Sequence, residues 1–148
     1  MYIIDDIMKK TVKWGVCLLL VAAAAMTLVY RLMNQLPPAD LPANIQVLEI
    51  FEDGGCLSCH SADPKVPFYA KLPVAGKVIM KDIDSGYRAY DIEKFMADVK
   101  ADVEPSAVDL AKVEKVILDG RMPMAKYYLV HWGSQVTPAK REVILDWV

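Results

Sequence analysis

The scarcity of metal-ligating residues narrows this sequence first. Its 148 residues contain only three cysteines and two histidines. A structural zinc site needs about four nitrogen or sulfur ligands, and beyond Cys56, Cys59 and His60 the chain offers only His131 and Cys17, the latter in an apolar run. No stretch alternates apolar and polar residues as a strand does, and no strand–helix–strand unit frames a thioredoxin-type dithiol. Internal repeats and low-complexity tracts are missing too. Neither sign of charge dominates, with 17 lysines and arginines against 19 aspartates and glutamates and a formal net charge of −2. Neither the balance nor the clustering of charge suggests nucleic acid as a partner.

One long hydrophobic run is present. Residues 14–30 carry no charge, and at 1.5 Å per residue they make roughly 25 Å of helix, the short end of a membrane span. Leu32 and Met33 extend it if Arg31 snorkels, and Trp14 and Tyr30 stand where interfacial aromatics belong. Lys9, Lys10 and Lys13 precede the run, whereas only Arg31 follows closely. The positive-inside rule therefore keeps 1–13 cytoplasmic and sends the rest across. A cleaved signal peptide is the rival reading, since Ala22, Ala23, Ala24 and Ala25 offer a small-residue cleavage site. The apolar residues continue to Met33, which favours an uncleaved anchor over 14–33. Cys17, near the start of the run, reads as a small apolar side chain and not as a lipid-attachment site. Residues 34–43, stiffened by Pro37, Pro38 and Pro42, read as a linker, and 44–148 suffices for one modest domain.

The chemistry lies in Cys56-Leu57-Ser58-Cys59-His60. A C-x-x-C-H pentapeptide is the attachment site of a c-type haem. Two intervening residues let one turn offer both thiols to the porphyrin vinyls. The adjoining imidazole becomes the proximal ligand of the iron. One covalent haem c is expected, and the topology delivers its cysteines to the outer side of the bacterial cytoplasmic membrane, where such attachment takes place. The haem domain is thus expected in the periplasm.

The remaining pattern is helical. Asn44 can cap a helix whose apolar face is Ile45, Val47, Leu48, Ile50 and Phe51, ended by Gly54-Gly55 just before the haem turn. A second helix from Asp91 places Ile92, Phe95, Met96 and Val99 on one side. Ser106-x-x-Asp109 resembles a capping box for a third, which stops at Gly120. Thr137-Pro138 is an N-cap followed by proline at the first helical position, and that last helix carries Val143, Ile144 and Trp147 inward. The expected fold is all-α, a class I cytochrome c-like haem domain behind a single N-terminal transmembrane helix. Its first and last helices would cross, bringing Phe51 against Ile144 and Trp147.

The second iron ligand decides the chemistry, because methionine favours a high potential, histidine lowers it and an open position admits small molecules. Met96 falls on an apolar helix stripe and reads as core. Met80 reads as a loop residue and a weak candidate. Met122 is favoured: it follows a helix in a loop, and Pro123 restricts its backbone to extended geometry. Packing of Met122 and Met124 in the core is the plain alternative, and His131 is the alternative ligand, able otherwise to bond a haem propionate or to pack beside Trp132.

An ordered set of further motifs accompanies the haem turn: Gly54-Gly55 before it, then Val66-Pro67-Phe68-Tyr69, Asp82-Ile83-x-x-Gly86-Tyr87, Arg121-Met122-Pro123, Tyr128-x-x-His131-Trp132 and Glu142-x-Ile144-x-x-Trp147. The set resembles the membrane-anchored N-terminal haem domain of three-haem bacterial cytochrome c peroxidases, the quinol peroxidases. A related family of small periplasmic haem-binding domains shares the Met-Pro and Tyr-x-x-x-His elements. The resemblance implies that Cys56 and Cys59 hold the haem, with His60 proximal and Met122 distal. It also implies a domain that takes electrons from membrane quinol, or from a quinol-oxidising donor, and passes them to a di-haem peroxidase module, in cis or in trans, that reduces hydrogen peroxide. Two departures stand out: Met124 occupies a position where a second proline is common, and the two further C-x-x-C-H sites of the peroxidase module are missing. With Val148 following Trp147 directly, a piece of a longer protein is expected over a stand-alone anchored cytochrome. This chain alone is then an electron-transfer domain with no catalytic residues of its own. A periplasmic haem protein serving as electron shuttle or small-ligand sensor is the alternative, and a purely structural membrane tether a third reading.

Overall fold

The computed structural model describes residues 2–148, with side chains from Lys10 onward. The described residues form helices and turns without a strand: α1 (Tyr2–Met33), α2 (Ala43–Asp53), α3 (Pro73–Ala89), α4 (Glu93–Lys100), α5 (Ala107–Asp119), the single-turn α6 (Ala125–Tyr128) and α7 (Pro138–Trp147). Short 3₁₀ turns cover Cys56–Ser58 and Phe68–Lys71. The all-α expectation holds. The chain divides into two units, Met1–Gln35 and Leu36–Val148.

In the first unit, Lys10–Met33 of α1 is long and apolar enough to cross a membrane by length and composition alone, with a mean hydropathy of 2.1. Thr27 returns its hydroxyl to the Ala23 carbonyl at 2.8 Å. That bond lets a polar side chain sit in an apolar helix without an unpaired donor.

In the second unit, α2, α4, α5 and α7 enclose one core containing Val47, Ile50, Phe95, Val99, Val113 and Ile144. Helix α2 packs against both α7 and α4, and α5 packs against α7, so the first and last helices of the domain meet as expected. Phe95 joins them, its ring edge-on to Phe51 at 5.6 Å and to Trp147 at 6.2 Å. Such pairs contribute about 0.5–1.5 kcal/mol each beyond area burial. Sequence periodicity did not reveal the clamp beside them: Lys140 on α7 is 1% exposed, and its Nζ reaches Asp53 Oδ2 at the end of α2, 3.1 Å away.

The caps of α5 and α7 follow the sequence. Ser106 and Thr137 accept hydrogen bonds from the Asp109 and Lys140 amides, and Gly120 closes α5 in the left-handed conformation. Three expectations need correction. Asn44 does not cap α2, which begins at Ala43 behind Pro42. Its side chain instead donates across the fold to the Val99 carbonyl at 3.1 Å. Helix α4 begins at Glu93, whose amide is taken by Asp91 Oδ1. Met80 is no loop residue but half exposed on α3, a 17-residue helix that the sequence reading did not pick out. The buried face of α3 consists of Gly76, Ile83 and Gly86. The two glycines are what allow the helix to come so close to its neighbours.

Candidate haem site

The Cys56–His60 turn is fixed largely by its own backbone. Helix α2 ends at Gly54, and Gly55 takes φ +67°, a left-handed conformation that disfavours other residues. Ser58 then donates its amide to Gly55 O, while Cys59 and His60 both donate to Cys56 O, at 3.3 and 3.0 Å. His60 O accepts from Ile92 N at 2.9 Å, which ties the turn to the start of α4. From the other side α3 closes in: a Cβ added at Gly86 would stand 2.6 Å from the Cys59 carbonyl oxygen. Only glycine permits that approach.

His60 is oriented through its ring. Its Nδ1–H donates to the Tyr90 carbonyl at 2.9 Å, leaving Nε2 with the lone pair that a metal requires. Tyr90 is held in turn, its hydroxyl donating to Asp109 Oδ1 at 2.9 Å while Ser106 Oγ donates to Asp109 Oδ2 at 2.6 Å. Lys112 Nζ sits 4.5 Å from the centre of the Tyr90 ring. The box that starts α5 therefore also braces the carbonyl that orients His60. Burial first, and then the bond to Asp109, raise the Tyr90 hydroxyl pKa above its usual value. The same network, led by the Ser106 hydrogen bond, holds Asp109 below the ordinary carboxylate range.

Two adjoining cavities, of about 310 and 170 Å³, share Cys56, His60, Ala89, Met122 and Pro123 in their walls. The larger is completed by core side chains such as Ile50, Phe51, Val113 and Ile144. The smaller adds Cys59, Gly86, Met124 and Tyr127. Cys56 and Cys59 carry free thiols. Burial pushes Cys56 up to about 12, and burial followed by the Asp82 carboxylate raises Cys59. Both are neutral thiols at pH 7, in apolar surroundings that do not favour thiolate. No three His, Cys, Asp or Glu side chains among the described residues converge as metal ligands on their own. Paired thiols, an oriented imidazole and a thioether around an apolar cavity fit a large apolar group that brings its own metal.

The structure thus brings Cys56, Cys59, His60 and Met122 to one cavity. It does not bring His131 there. That ring stacks on Tyr127 at 3.9 Å between centroids, with Nδ1 3.2 Å from Tyr127 O and Nε2 3.4 Å from the Tyr69 hydroxyl. Met96 is buried in the core, as its stripe implied.

The haem-binding domain family profile matches residues 20–148. The chain belongs to that family. It is also 33% identical over 105 residues to the cytochrome c peroxidase Ccp of Escherichia coli K12, covering 71% of this chain and 23% of that protein. The chain therefore spans about a quarter of that relative's length. The likeness to the haem domain of bacterial cytochrome c peroxidases, read from the ordered motifs, is borne out. No solved structure matches the chain.

Within this family site, sequence reasoning missed Tyr90, Asp109, Gly86 and Tyr127. Tyr90 contributes a backbone carbonyl, which no residue type advertises. Gly86 and Tyr127 do lie in or beside quoted motifs: the Gly86-Tyr87 pair marks the close approach of α3, and Tyr127 begins the Tyr-x-x-x-His element. The latter's stacked ring and carbonyl hold His131 away from the cavity wall.

Proposed function

We propose that the chain is a membrane-anchored c-type cytochrome domain that carries single electrons through one covalently bound haem, from membrane quinol or a quinol-oxidising donor to a peroxidase module. Cys56 and Cys59 are its attachment points, His60 the proximal ligand and Met122 the distal one. The observation that carries this reading is the shared cavity wall: both cysteines border the same apolar space as His60, whose Nδ1 is pinned to Tyr90 O, and Met122 borders it too.

When bound, the haem supplies a one-electron ferric/ferrous couple. The rest falls to the chain. Tyr90 O fixes the tautomer and angle of His60. Ile50, Phe51, Val113 and Ile144 exclude water from the cavity, and a thioether from Met122 favours a high potential. In this reading the domain relays electrons and leaves peroxide reduction to a partner. The apolar Lys10–Met33 segment supports an anchor in the bacterial cytoplasmic membrane, and the positive-inside pattern supports a periplasmic haem. The similarity to Ccp supports the peroxidase module as acceptor.

The test is reduction of the haem by a quinol in vesicles carrying the full chain, followed by its reoxidation when a peroxidase module and hydrogen peroxide are added. Rapid electron passage through both steps is expected. Failure of quinol to reduce the haem, together with fast carbon monoxide binding to the ferrous form, would replace this reading with that of a ligand sensor.

A further inference from the structure

Residues 64–81 differ from the rest of the chain. Their charged residues are Lys65, Lys71, Lys77 and Lys81, without a single acid, in a protein whose formal net charge is −2. Acids return just beyond, and each is already neutralised: Asp82 by Lys126 at 2.7 Å and Asp84 by Arg88 at 2.9 Å.

The same stretch exposes its large apolar side chains. Phe68 is 83% exposed and Val74 79%, more than any described large apolar residue of α1, where Leu19 reaches 71%. Val66, Leu72, Val78 and Met80 are exposed as well. This is not a loose loop. The Phe68–Lys71 turn packs on α3, where Gly76 lies so close to the Ala70 carbonyl that no Cβ would fit. The far half of α3 closes on Cys59 through Gly86 and lines the smaller cavity. An apolar and basic platform is thereby joined rigidly to the haem turn.

Soluble proteins seldom leave contiguous apolar surface uncovered. Lysine is depleted from the cores of protein–protein interfaces, whereas apolar side chains interleaved with lysines are the pattern of elements that lie in a lipid interface. The tether adds a second argument. Only residues 34–42 separate α1 from α2, a reach of at most about 30 Å, so an anchored chain keeps its domain beside the bilayer.

We propose that the face built from Phe68–Lys71 and the first half of α3 rests on the membrane surface, with Phe68, Leu72 and Val74 entering the interface and Lys71, Lys77 and Lys81 meeting the phosphates of anionic lipids. The tether argument rests on the anchor in the proposed function, while the composition and exposure of the face do not. Apposition would hold the haem turn at a constant short distance from the bilayer, where a quinol is available.

The test is hydrogen–deuterium exchange on the full haem-loaded chain in three settings: vesicles containing phosphatidylglycerol, vesicles of phosphatidylcholine, and detergent micelles. Amides within 66–81 are expected to exchange about tenfold slower on the anionic vesicles than in micelles, and added salt should relieve that protection. Each lysine is worth about fivefold in binding, so a Lys71→Gln/Lys77→Gln variant, changed only at exposed positions, should lose the protection while keeping its haem spectrum. Equal exchange in all three settings would overturn the proposal. So would protection that arises only when a protein partner is added, which would make the face a protein-docking surface. Resistance of the chain to alkaline carbonate extraction reports the anchor separately: extraction with 66–81 still protected would remove the anchor and leave the surface standing.

Discussion

The two sides of the cavity are built in different ways. On the His60 side, consecutive residues make the site: Gly55 turns the chain, Cys56 O accepts from Cys59 and His60, and one long-range bond to Tyr90 O sets the ring. On the Met122 side, the segment between Gly120 and Met124 takes part in none of the turn hydrogen bonds found among the described residues. Met122 reaches the cavity because α5 ends at Gly120 and α6 starts after Met124. One side is local and preset; the other is delivered by tertiary structure. A motif of five residues can therefore announce the first candidate ligand, while the second candidate must be argued from where helices stop.

The comparison can be broken most severely at the local side. Replacing both cysteines of the turn, Cys56→Ser/Cys59→Ser, should abolish haem staining on a denaturing gel completely. Retained stain would show that neither thiol carries the group. Next in size is Met122→Ala, which should leave the stain intact and lower the reduction potential by roughly 0.1 V or more, since the axial ligand sets much of a haem's potential. His131→Ala should leave that potential nearly unchanged, because its ring is engaged by Tyr127 and Tyr69. A large fall in the His131 variant alone would exchange the two assignments.

Smaller effects test the scaffolding. Gly86→Ala drives a methyl into the Cys59 carbonyl and should cost about 1–3 kcal/mol of stability, seen as a melting temperature several degrees lower. Ser106→Ala removes the α5 cap and should cost about 1 kcal/mol at neutral pH. Its pH dependence follows from Asp109, whose folded-state pKa is lowered chiefly by Ser106. A depressed carboxylate stabilises the fold above its unfolded pKa, and that contribution is lost as pH falls through the folded value. The penalty of Ser106→Ala should therefore shrink in acid, and parallel unfolding curves at pH 7 and below pH 3 would check it.

Elements with their own signals were legible from the sequence. Ser106, Gly120 and Thr137-Pro138 mark their helices because capping is a short-range bond between neighbours. The C-x-x-C-H turn is legible for the same reason. Helix α3 was overlooked although Val74 and Val78, and Ile79 and Ile83, recur at helical spacing; its buried face holds Gly76 and Gly86 beside Ile83, so only one large apolar side chain there is fully inside. Asn44 misled because a residue well suited to capping found a better partner in Val99, distant in sequence. The pairing of His60 with Tyr90, and of Tyr90 with Asp109, depends on how α4 and α5 settle around the turn. No local pattern encodes it.

The most direct test of the account is X-ray absorption at the iron edge of the purified, haem-loaded full chain. The account predicts a sulfur scatterer beside the nitrogens of the haem and His60 in the wild type, lost in Met122→Ala. A shell made only of nitrogen, or an open sixth position, would contradict it.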